Sequence, residues 1–197
     1  VACVRARLTQ KEFSLSTITP INSTSAAYSG NMSLEFYDAP GNYTISVYAE
    51  DLSGLNTTST ISFEYLAVVA FEIDTHDITF EAVSGQASDV LGDQDMATKS
   101  SPSIRNIGNT MLDFSVSGTS LDSGKSVIPS QSLLYTFEDT DFGSSLGGAL
   151  GITPSLKAVN LMPGPESLRE FSLRLIVPLG SAAGDYQGSI YLQGVMS

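Results

Sequence analysis

The sequence has a single cysteine, Cys3, a single histidine, no tryptophan, and only 9 lysines and arginines among 197 residues. One cysteine excludes an internal disulfide framework and cannot by itself build a zinc site. The few basic residues are nowhere clustered and stand against 21 acids, for a formal net charge of -12. That balance excludes nucleic acid as a partner, since neutralising phosphates needs a basic patch. The longest apolar run, 65–71, is far shorter than the roughly 20 residues of a membrane-spanning helix and reads as a buried strand. No apolar stripe of helical period extends past two turns. No signal peptide is present, and the strand-like opening, 1–8, is what a processed product or a fragment would show.

Hydroxyl takes the place of charge. Charged residues make up 15% of the chain against 42% hydrophobic, so the surface must be finished with Ser and Thr. Together with 17 Gly and 8 Pro, this is a composition of strands and turns, poor in the residues that fill exposed helices. Period-two alternation dominates. Tyr43, Ile45, Val47 and Ala49 share one face of a strand while Thr44, Ser46 and Tyr48 take the other. Phe171, Leu173, Leu175 and Val177 alternate with Ser172, Arg174 and Ile176 until Pro178, which lacks an N–H, stops the ladder. Tyr186, Gly188, Ile190 and Leu192 form a third series.

Turn residues separate these runs. Gly108-Asn109 suits a tight hairpin between 103–107 and 112–116, because both residues tolerate positive φ. Gly41-Asn42-Tyr43 and Gly184-Asp185-Tyr186 look like one device used twice, a tyrosine corner whose hydroxyl returns to the backbone a few residues upstream. The repetition predicts an all-β chain of two immunoglobulin-like β-sandwich domains in tandem, 1–66 and 67–197, joined through the apolar stretch 65–71. Within the second, the Gly/Ser-rich segment 143–151 is expected to be a long loop. It lacks the Gly-Lys-Ser/Thr ending of a phosphate loop.

Four Asn-x-Ser/Thr sequons begin at Asn22, Asn31, Asn42 and Asn56, all within 37 residues, and none follows. Such clustering predicts N-linked glycans on a solvent-facing first domain outside the cytoplasm; chance in a Ser/Thr-rich chain is the alternative. Two acidic segments, with Asp89, Asp93 and Asp95 in one and Asp139 and Asp141 in the other, offer the oxygen-rich chemistry that calcium takes, against the plainer reading of solvated loops. No other cofactor or metal is expected. Catalytic material is thin. His76 lies among acids in Asp74-Thr75-His76-Asp77, no Gly-x-Ser-x-Gly elbow occurs, and nothing marks a pair of carboxylates as a glycosidase couple. Without tryptophan, only the outward Tyr48 and Tyr191 could offer a sugar-stacking platform.

The segment 36–51, Phe-Tyr-Asp-Ala-Pro-Gly-Asn-Tyr-Thr-Ile-Ser-Val-Tyr-Ala-Glu-Asp, resembles the repeat units of archaeal cell-surface and S-layer-type proteins built from Ig-like or PKD-like sandwiches. Segments 102–110 and 177–188 resemble them too. What the resemblance implies is a glycosylated envelope or appendage protein, located at the cell surface, that packs against copies of itself or other surface proteins. It carries no catalytic residue onto this sequence. The expectation is therefore a non-enzymatic structural module of an extracellular layer or fibre, self-associating through sheet edges or sandwich contacts. An adhesive module for glycans or a partner protein is the alternative, and an accessory domain of a secreted enzyme a third. Val1–Leu8 argues against assembly through a long apolar N-terminal helix.

Overall fold

The computed structural model describes residues 3–8, 11–20 and 26–197, and they are all-β: 18 strands and one turn of 3-10 helix. The chain divides into two compact units, Val1–Ala67 and Val68–Ser197.

In the first unit, β1 (Cys3–Leu8), β2 (Lys11–Ser14), β5 (Gly41–Glu50) and β6 (Asn56–Tyr65) form an antiparallel sheet in the order β2-β1-β5-β6. β3 (Ser16–Pro20) and β4 (Ala26–Ser29) form a separate hairpin. β5 and β6 pair along their whole length without a bulge. The turn between them is set by Asp51, whose Oδ1 accepts from Ser53 N at 2.8 Å and Leu55 N at 3.0 Å, with Gly54 at φ 84. Tyr43 and Phe63, opposed in register, stack at 5.7 Å. Ala6 and Leu8 are the buried apolar side chains among the described residues of this unit.

The second unit is a β-sandwich of the immunoglobulin-like kind, with antiparallel sheets closed around one core. One layer is β14 (Gly147–Ala149), β13 (Leu133–Thr136), β17 (Ser172–Ile176) and β8 (Ala87–Val90), in that order. Facing it are a sheet of β15 (Ser155–Leu161), β10 (Leu112–Gly118) and β18 (Ile190–Met196), and another of β16 (Leu168–Glu170), β9 (Ser103–Asn106) and β7 (Phe71–Ile73). β11 (Leu121–Asp122) and β12 (Val127–Ile128) make a short ribbon. The core is aromatic: Phe114 packs on Phe71 at 5.1 Å and on Phe137 at 5.5 Å, and Phe137 on Phe171 at 5.1 Å. Phe171, Leu173, Leu175 and Val177 are all buried, as their alternation predicts, while Ile176 is exposed.

Four local expectations need correcting, the first being the run 65–71, which is no buried strand: β6 ends at Tyr65, β7 begins at Phe71, and Leu66, Val68 and Val69 between them are exposed. Gly108-Asn109 does not close a hairpin: β9 pairs with β7 and β16, and β10 pairs with β15 and β18, so the connection arches from one sheet to another. Its polar groups are spent inward. Asn106 Nδ2 donates to Thr110 O at 2.7 Å and Leu161 O at 2.9 Å, and a Cβ on Gly108 would collide with Val68 O. Segment 143–151 is no free loop, for it contains β14 and the fully buried Leu150, whose N donates to Leu133 O at 2.7 Å. Gly147 is needed there because a Cβ would press on Phe142 O and Tyr135 O at 2.9 and 3.0 Å. The last strand starts at Ile190 rather than Tyr186, with only a single bridge, Gln187 to Asp122, before it.

Candidate functional site

Residues directly opposed in an antiparallel pair project from the same side of the sheet. Along β5 and β6 the opposed pairs are Asn42–Glu64, Thr44–Ser62, Ser46–Thr60, Tyr48–Thr58 and Glu50–Asn56. β1 adds Arg5 opposite Tyr48 and Arg7 opposite Ser46. One face of this sheet, from Arg5 and Arg7 of β1 across β5 and β6, is therefore polar, made of hydroxyls, amides, carboxylates and guanidinium groups, with Cys3 at its margin opposite Glu50. Thr44 Oγ1 and Ser62 Oγ are 3.0 Å apart, and Tyr48 donates its hydroxyl to Glu50 Oε2 at 2.5 Å, so the groups bond laterally within the face.

Two sequon asparagines, Asn42 and Asn56, share this face and are both exposed. Asn56 stands opposite Glu50, eight residues along β5 from Asn42, which separates them by about 27 Å at ~3.4 Å per residue. Asn31 is exposed in the loop after β4. Asn22 lies outside the described residues.

Both tyrosine corners have the same geometry. Tyr43 donates its hydroxyl to Ala39 O at 2.6 Å, and Tyr186 donates to Ala182 O at 2.9 Å, each four residues upstream. Tyr43 thus fixes the chain beside Asn42, at the point where the polar face begins.

The acidic segments are drawn together without forming a cation cage. Asp89 lies in β8, opposite Arg174, which donates Nε to Oδ1 at 2.7 Å and Nη2 to Oδ2 at 2.6 Å. This guanidinium holds the Asp89 carboxyl below its usual pKa. Asp93 Oδ1 accepts from Asp95 N and Ser103 Oγ, each at 2.9 Å; Asp95 Oδ1 accepts from Ala97 N at 2.9 Å; Asp141 Oδ1 accepts from Gly143 N at 3.0 Å. Asp139 N and Gln94 Nε2 both donate to Glu170, which ties the two loops to β16. Among the described residues, no group of three or more His, Cys, Asp or Glu side chains could hold a metal ion. An arginine engages Asp89 and loop donors engage Asp93, Asp95 and Asp141, so the five residues of the calcium expectation, Asp139 among them, are not gathered into one donor set.

His76 is exposed at a bend beside the buried Asp74, whose Oδ1 accepts from Ser103 N at 2.9 Å. Tyr191 is 58% exposed on β18. No helix among the described residues is long and apolar enough to cross a membrane. The common face of Asn42 and Asn56 depends on the β5–β6 register; the signal for it in the sequence is the parity of the two runs around the five-residue turn 51–55, centred on Ser53.

Neither a family model nor a curated protein matches the chain. Among solved structures it is similar to one chain in the crystal structure of the CsuC-CsuE chaperone-tip adhesion subunit pre-assembly complex from archaic chaperone-usher Csu pili of Acinetobacter baumannii. The two are 14% identical, the match covers 97% of this chain and 83% of that one, and the TM-score is 0.42. At that score the likeness carries no weight, and fold and function rest on the residues themselves.

Proposed function

We propose that this protein is a non-enzymatic, N-glycosylated structural module of an extracellular layer or fibre, of the archaeal S-layer type that its repeat-like segments resemble. The observation that carries the reading is the polar face of β1, β5 and β6, with an exposed sequon asparagine toward each end of it. A glycan at Asn42 and another at Asn56 would leave the same side of one sheet and cover it. The hydroxyl-rich, charge-poor surface fits a protein that works by packing and presentation. A lone exposed histidine and carboxylates taken up by arginine and loop amides favour no hydrolytic mechanism.

The test is electron microscopy of native material together with its intact mass before and after deglycosylation. Ordered layers or fibres, with mass above 20.8 kDa that deglycosylation removes, are expected. Dispersed particles at the bare sequence mass would overturn both the assembly and the glycan, and would favour a monomeric binding module.

A further inference from the structure

Edge strands expose unpaired backbone groups, and proteins blunt them by shortness, lysine, proline or bulges. Among the described sheets the edges are β2, β6, β7, β8, β14, β15, β16 and β18, together with both strands of the two short ribbons, β3 with β4 and β11 with β12, none longer than five residues. β7, β14 and β16 have three residues each, and β2 and β8 four. β15 is broken by a register shift and by Asn160 at φ 52, and β18 has seven residues interrupted by Gly194. β6 differs from all of these. Its ten residues carry no lysine, arginine, proline or glycine, their pairing to β5 is unbroken, and Asn56–Ser62 are exposed.

The direction of its free groups follows from the turn. Asp51 N donates to Leu55 O at 2.9 Å, which makes that pair hydrogen-bonded. Hydrogen-bonded and non-hydrogen-bonded pairs alternate along an antiparallel ladder. Thr57, Ser59, Ile61, Phe63 and Tyr65 therefore spend their backbone groups on β5, while Asn56, Thr58, Thr60, Ser62 and Glu64 direct theirs to the open edge.

Building on the reading of the chain as an assembly module, we propose that this edge pairs with β6 of a second copy, antiparallel about a two-fold axis normal to the sheet at Thr60. Such an axis keeps the polar faces on one side and sets Thr60 opposite Thr60, Thr58 opposite Ser62, and Asn56 opposite Glu64. All of these are outward-directed residues, so every free N–H and C=O of the strand finds a partner, and no shift of register satisfies as many. Charge agrees with this alignment. The only ionisable carboxylate of β6, Glu64, meets an asparagine amide rather than its own copy, and hydroxyl pairs of the Thr–Thr and Thr–Ser kind favour cross-strand association. The result is one continuous sheet across both copies with its sequon face undivided.

Two substitutions test the contact without disturbing β5. Thr60→Pro removes only an outward N–H, which an edge strand tolerates. Thr60→Lys places two ammonium groups opposite each other at the axis. Sedimentation equilibrium of the 197-residue chain should show a reversible dimer, with the dissociation constant raised about tenfold or more by either change while the unfolding midpoint stays near wild type. A wild-type chain that stays monomeric at every concentration overturns the proposal. So does a chain whose self-association is unaffected by both substitutions, though that result leaves the wider reading as a layer or fibre module intact, because assembly would then use another surface. Should Thr60→Pro alone unfold the first unit, the outward direction of the Thr60 N–H, and the register built on it, is wrong.

Discussion

Asn109 and Val68 bond to each other twice: Val68 N donates to Asn109 Oδ1 at 2.6 Å, and Asn109 N donates to Val68 O at 3.1 Å. The same carbonyl also accepts from Thr110 Oγ1 at 3.2 Å, and Ala70 O accepts from the N–H groups of Ile107 and Gly108. The arch between β9 and β10 thereby holds the chain where the second unit begins. Asn109→Ala leaves the Val68 N–H without its side-chain partner and empties a site that is 2% exposed, for an expected loss of about 1–3 kcal/mol. Urea unfolding measures the loss, and amide hydrogen exchange at Val68 should lose its protection first.

Tyr186→Phe keeps the ring that packs against the core and deletes only the hydroxyl that reaches Ala182 O. The expected cost is about 1 kcal/mol, the net worth of one neutral hydrogen bond. Tyr43→Phe should cost no more. In the first unit the change is better seen as faster proteolysis at the 39–43 corner than as a shift in melting temperature.

The parts of the fold that depend on period two and on turn chemistry are legible in the sequence. The alternation of β5 and β17 is there, and so is the repeated Gly-Asn/Asp-Tyr corner. What the sequence hides is which strand each turn leads to. Gly108-Asn109 has hairpin chemistry, but the partners of β9 and β10 lie far along the chain, in β7, β15, β16 and β18, and are chosen by core packing and by contacts such as Asn106 with Leu161. β14 has no β-forming residues at all, and Gly147-Gly148-Ala149 is held extended by its pairing with β13, where the close walls at Phe142 and Tyr135 leave no room for a Cβ at Gly147. The polar face is half legible: each strand shows its alternation, while the register that sets Asn42 and Asn56 on one side becomes visible only once β5 and β6 are paired.

Phe137 links the aromatic rings of the core, lying between Phe114 and Phe171 and fully buried. Phe137→Ala removes two ring contacts and opens a cavity, so a loss of about 3–5 kcal/mol is expected in the second unit. Urea unfolding should show this loss, and the first unit's ring contacts, Tyr43 on Phe63 and on Tyr65, are not among those removed.

Acid should weaken the protein through carboxylates held in their charged form. Asp89 titrates below its usual range, first because Arg174 hydrogen-bonds to it and then through the same group's charge; Asp51 is lowered by the Ser53 hydroxyl and the Leu55 amide. A folded pKa below the unfolded one means stability that is fully present above the unfolded value, near 3.9, and lost as pH falls through the folded one. Arg174→Gln tests the larger contact. Arg174 also lies over the Phe142 ring at 4.5 Å, but both ion-pair side chains are about a third exposed, 34% and 32%, so the variant should lose only about 1 kcal/mol at pH 7. The gap between variant and wild type should narrow as pH falls below the usual carboxylate range and through the lowered pKa of Asp89. Melting curves at pH 7 and down through that acid range read the gap directly; one that does not narrow would show that Arg174 acts through its packing on Phe142 and not through its charge.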